Sequence, residues 1–180
     1  MKLLIVLPFC FFTTFLFAQG TEGDAGLNFL LEEIAVLKIE PTNTDVVLNL
    51  DAPVNAGEKV KIITANNTKW INFTSALREE ASPRNISIKI DDGSVPTGLY
   101  LKLKTTYFKG SGKGQLGVAK PLITLNNSSQ VIISDIGAAY TGSGVNNGFE
   151  LTYYLEIYNY KLLDVNNSET LSISLTLTDY

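Results

Sequence analysis

The sequence predicts an all-β fold, a single antiparallel β-sandwich behind an N-terminal export signal, and three observations carry that reading. From Gly26 onward, short runs of β-branched, leucine and aromatic residues recur. Clusters of Asn, Gly, Pro, Asp and Ser separate those runs, as turns separate strands. Helical periodicity is missing from all but one ambiguous stretch near the start.

The first element is the export signal. Met1 to Ala18 holds Lys2, then an apolar run from Leu3 to Phe17 broken only by Pro8, Thr13 and Thr14, then a small residue before Gln19. That is the layout of a secretory signal peptide. A membrane-spanning helix needs about 20 apolar residues, and the polar stretch Gln19-Gly20-Thr21-Glu22-Gly23-Asp24 ends this run too soon. Residues 1–18 are therefore expected to be a signal peptide, 19–26 a loose N-terminal tail and 27–180 the sandwich domain, with no membrane span in the mature chain. Cys10, the only cysteine, leaves with the signal. A disulfide-free exported domain points to a bacterial source, since exported eukaryotic domains commonly use disulfides.

Within the domain, Leu30 to Ile39 is apolar enough for a strand buried on both faces. A short helix over Phe29 to Leu37 is the alternative, because Leu30, Leu31, Glu32, Glu33 and Ala35 favour helix. Period-two runs follow at Asp45 to Leu50, Lys59 to Thr64, Trp70 to Phe73, Ile86 to Ile90, Leu99 to Leu103 and Leu151 to Ile157, with a continuous apolar run at Val131 to Ile133. The clearest strand is Leu171 to Thr178, in which every odd residue is apolar and every even one a hydroxyl. Its odd residues, with Leu151, Tyr153, Leu155 and Ile157, are the expected core. Four Asn-Asn pairs, at Asn66, Asn126, Asn146 and Asn166, fall between strand candidates. Asn tolerates the left-handed backbone of tight turns, so each pair is an expected reversal point.

The chemistry that the sequence excludes is equally informative. There is no histidine, so no Ser-His-Asp or Cys-His constellation forms and the commonest general base is missing. Net charge is −4 and the pI about 4.8, which gives no cationic footprint for nucleic acid. Gly112-Lys113-Gly114-Gln115-Leu116-Gly117 matches G-x-G-x-x-G, yet Pro121 and a β-branched run follow where a nucleotide site needs a helix. A hairpin loop is the expected structure there. Glu150 and Glu156 share one face of a strand but stand roughly 20 Å apart at strand rise, too far for a glycosidase pair. The expectation is a non-enzyme with no cofactor and no metal. One feature points to binding. In Leu151 to Tyr160, alternation leaves Tyr154, Tyr158 and Tyr160 on the face opposite the core, where exposed rings stack on sugars or on a protein partner.

Lys69-Trp70-Ile71-Asn72-Phe73-Thr74-Ser75, Gly93-Ser94-Val95-Pro96-Thr97-Gly98-Leu99, Ile136-Gly137-Ala138-Ala139-Tyr140-Thr141-Gly142 and the closing Leu171 to Asp179 resemble small secreted β-sandwich proteins of Gram-negative bacteria. More distantly they resemble fimbrial subunits of the spore-coat-U and pilin type. The resemblance implies an Ig-like or pilin-like sandwich, secreted, periplasmic or on the outer cell surface. It also implies a structural or adhesion role through protein partners or self-association; the exposed tyrosine face gives the alternative, a soluble carbohydrate-binding module using Tyr154, Tyr158 and Tyr160.

Overall fold

The computed structural model describes residues 25–65, 67–164 and 169–179. Residues 1–18, assigned to the signal peptide, lie outside them, as do most of the expected tail 19–26 and the Asn166-Asn167 turn. Of the N-terminal unit Met1–Leu31, the described residues 25–31 carry no secondary structure. The second unit, Glu32–Tyr180, is all-β.

Its strands are β1 (Ile34–Glu40), β2 (Val47–Asp51), β3 (Lys61–Ala65), β4 (Thr68–Ala76), β5 (Arg84–Asp92), β6 (Leu99–Thr105) and β7 (Lys113–Gly114). There follow β8 (Val118–Ala119), β9 (Leu122–Thr124), β10 (Gln130–Ile136), β11 (Ala139–Tyr140), β12 (Phe149–Ile157) and β13 (Ser172–Thr178). One 3₁₀ turn, Tyr160–Leu162, precedes the last strand.

Two antiparallel sheets enclose the core. In the larger, β4 carries β1 along one side, and on the other it meets first β12 and then β11. β12 continues to β6 and β9, and β11 to β7. The smaller sheet runs β13-β5-β10-β8, and β2–β3 is a separate hairpin. Alternation fixes what faces inward. Ile71, Phe73, Leu101, Leu103, Phe149 and Leu151 from the large sheet meet Ile86, Ile88, Ile132, Ile133 and Ile136 from the small one in one buried cluster. Phe149 centres it, with ring centroids 6.2 Å from Phe73 and 5.9 Å from Phe108.

Several expectations are corrected. Leu30 to Ile39 is neither a helix nor a full-length strand, because pairing with β4 begins only at Ile34. Leu171, Ile173, Leu175 and Leu177 pack against the core but are half-buried. The reason is position: β13 is an edge strand with a neighbour on one side only. Leu151 and Tyr153 are buried as expected, whereas Leu155 and Ile157 are half-buried. The G-x-G-x-x-G stretch contains β7, paired with β11, and is not a free hairpin loop. At Gly114, φ is +97° and an added Cβ would stand 2.1 Å from the Ala138 carbonyl oxygen, so glycine serves backbone contact there. Asn146, at φ +64°, has the left-handed backbone expected of an Asn-Asn turn.

Where β1 and β13 come together, Arg84 acts as a clasp. Its side chain is only 3% exposed, and it donates to the Ile34 carbonyl oxygen and ion-pairs with Asp179. The Ser75 hydroxyl lies 3.3 Å away and the Glu33 carboxylate 3.6 Å away. A buried guanidinium requires that number of acceptors, since its five donors have left water.

Candidate functional site

Surface chemistry concentrates on the outer face of the large sheet. Register places Tyr100 opposite Glu156, Lys102 opposite Tyr154 and Lys104 opposite Thr152. Leu101, Leu103, Leu151 and Tyr153 point inward, so alternation turns these partners outward. Tyr158, just past the end of β12, stacks on Tyr100 with centroids 4.3 Å apart and planes at 18°. Lys102 sits 5.2 Å from the Tyr100 ring centre, donates to the Thr124 hydroxyl at 2.8 Å and pairs with Glu156 at 3.2 Å. Tyr154 and Tyr158 thus share one face, as alternation required. Tyr160 lies in the 3₁₀ turn, where its hydroxyl accepts the Val60 N–H at 3.0 Å.

Sequence reasoning singled out neither Tyr100 nor Lys102. The signal is present in the alternation of Leu99-Tyr100-Leu101-Lys102-Leu103-Lys104, whose outward residues are as regular as its core face. Trp70 is another outward residue, yet it is only 6% exposed. Lys109 covers it, its ammonium 5.4 Å from the ring centre and 2.7 Å from the Glu150 carboxylate. Glu150 and Glu156 therefore stand on one face, each with its own lysine.

Apart from the buried Arg84 clasp, the remaining ion pairs lie at the surface. Hydrogen bonds from Arg78, Lys38 and Lys89 hold the carboxyls of Glu33, Glu40 and Asp91, respectively, below their ordinary range. Burial pushes the Tyr153 phenol up. Among the described residues no three metal-ligating side chains converge, and no helix is long and apolar enough to cross a membrane.

The second kind of surface is the sheet edge. β8 and β9 have two and three residues and are joined through Lys120-Pro121. β10, next to β8, has two register shifts, with Asp135 at φ +60° in the second. β1 and β13 are seven residues each, and β1 keeps an unbroken register with β4. From Leu171 to Thr178 no residue is charged.

Compared with known proteins, the chain matches no family model, no curated protein and no solved structure. Fold and surface alone define its class, an all-β antiparallel protein with two sheets around one core.

Proposed function

We propose that the chain is an exported, non-catalytic structural or adhesion protein of the bacterial cell surface, Ig-like or fimbria-like, acting through protein contacts along β13. One observation carries this reading: β13 is a seven-residue edge strand with no charge, laid over a half-covered apolar row. Proteins that must stay apart interrupt such edges with Lys, Pro or bulges, because unpaired N–H and C=O groups template another strand. Here the β8–β9 side has those interruptions, whereas β13 carries no charge or proline and its one register shift against β5, between Ser172 and Ile173, falls at its first residue. Strand addition gives affinity through main-chain hydrogen bonds.

A second reading, a soluble carbohydrate-binding module, is favoured by the Tyr100–Tyr158 stack beside Tyr154. It ranks second because the nearest polar group, Lys102, is already held by Thr124, Glu156 and Tyr100.

Sedimentation equilibrium of the chain from Gln19 tests the first reading. Association that grows with concentration, and that Thr176→Lys suppresses without shifting stability by more than about 0.5 kcal/mol, is the expected result. A monomer at every concentration would sink the edge-pairing role.

A further inference from the structure

The outer face of the large sheet also holds a depression of about 360 Å³ that no feature of the edge-pairing role requires. Its floor is β4. Thr74 lies directly opposite Val36 of β1 on one side and Tyr140 of β11 on the other, so three strands set Val36, Thr74 and Tyr140 in one cross-strand row. Directly opposed side chains stand about 5 Å apart. A short threonine between a valine and a tyrosine therefore leaves a trough roughly two strand spacings wide. Val36 is 57% exposed and Tyr140 46% exposed, so both walls face solvent.

The wall beyond Tyr140 is held in place from beneath. Asn72, only 5% exposed, accepts the Gly144 N–H at 2.7 Å and donates to the Asn147 carbonyl at 2.6 Å. Thr141, fully buried, accepts the Phe73 N–H at 2.9 Å. Asn147 in turn donates to the Ser143 carbonyl at 2.9 Å. Gly142 and Gly144, at φ +83° and +84°, let the chain fold back over β4. The turn is thus fixed before any ligand arrives, which lowers the ordering cost of binding.

Within this trough the hydroxyls of Thr74, Ser143 and Tyr140 make no hydrogen bond among the described residues. Lys38, on the rim, is paired with Glu40 and 59% exposed, so the rim offers a donor and an acceptor with no net charge. An apolar wall facing an aromatic one, a free hydroxyl on the floor, two more along the Tyr140 wall and a neutralised rim match one ligand chemistry. That ligand is a neutral ring with apolar faces and a hydroxylated perimeter. The volume is within the range of about 300–1,000 Å³ typical of small-molecule sites.

We propose that the trough between β1 and the 141–144 turn is a pyranose-binding subsite, with Tyr140 as its stacking ring and the free hydroxyls of Thr74 and Ser143 as its polar contacts. It lies on the large sheet, whereas β13 belongs to the small one, so it does not depend on the edge-pairing role.

The test is saturation-transfer NMR and calorimetry of the chain from Gln19 with cellohexaose, mannohexaose and chitohexaose. At least one hexamer binds, Tyr140→Ala weakens it by about tenfold or more, and Thr74→Tyr, which fills the trough, abolishes it. Both variants keep the parent circular dichroism spectrum and melt within a few degrees of it, as surface changes do. Thr176→Lys leaves sugar binding unchanged whether or not it alters assembly. Absence of binding to all three hexamers overturns the proposal. So does binding that survives both trough variants, or binding that is lost in Tyr158→Ala but kept in Tyr140→Ala, which would move the site to the Tyr100–Tyr158 strip.

Discussion

The two sides of the sandwich are finished differently. On the β8–β9 side the closing strands are short, yet Ala119, Ile123 and Leu125 beneath them are at most 8% exposed. On the β1–β13 side the strands are long, and Leu37, Ile39, Ile173, Leu175 and Leu177 beneath them are only half-buried. Length of strand and quality of closure are therefore separate properties. A side can be sealed by three residues whose side chains turn fully inward, and left open by seven whose neighbours lie on one flank.

Substituting the same residue on both sides breaks or sustains this contrast most sharply. Leu103→Ala, on the sealed side and fully buried, should cost about 4 kcal/mol, because a cavity adds to the lost transfer energy. Leu175→Ala should cost about half as much, since water already reaches that row. Urea denaturation of both variants measures the difference. Equal losses would mean that the two sides are equally closed.

The clasp holds the open side together, and its removal comes next in size. Arg84→Ala should destabilise by about 3 kcal/mol, leaving the Ile34 carbonyl without its donor and a cavity behind. Arg84→Met should recover part of that, because a buried ion pair often gains little over a well-packed apolar chain. A melting curve unchanged by Arg84→Ala would show that β1 and β13 are held by side-chain packing alone.

Acid should act on the open side as well, and least. Glu33 and Glu40 flank and end β1, and both carboxyls are held low by their cationic partners. A depressed folded-state pKa contributes stability that is present above the ordinary carboxylate value and is lost as pH falls through the lowered one. The melting temperature should therefore fall as pH drops through and below the ordinary carboxylate range. The Glu33→Gln, Glu40→Gln double variant should flatten that fall. A parent curve level through that range would contradict the assignment.

Local pattern carried the fold further than it carried the site. The strands around Trp70, Ile86, Leu99, Leu151 and Ile173 were legible because each alternates over several residues. β8 and β11 were not, since two residues have no period. The half-burial of Leu175 was not legible either. It depends on which strand lies at an edge, and sheet order is a property of the whole chain. Tyr154 and Tyr158 were placed on one face by alternation alone, whereas the Tyr100 ring that stacks on Tyr158 comes from a distant earlier strand. The row Val36, Thr74 and Tyr140 joins three distant segments, none of which is unusual by itself.

The Arg84 clasp also orders events in time. Its carbonyl partner, Ile34, stands 50 residues before it, and its carboxylate partner, Asp179, 95 residues after it. A chain leaving the ribosome or crossing a membrane from its N-terminus presents the cation and the first strand long before the last. Until the segment that ends in Asp179 is in place, Arg84 lacks that carboxylate and β5 lacks the strand that pairs with it from Asn85 to Asp92. This flank of the small sheet is therefore the last to close, because its pairing joins segments far apart in sequence.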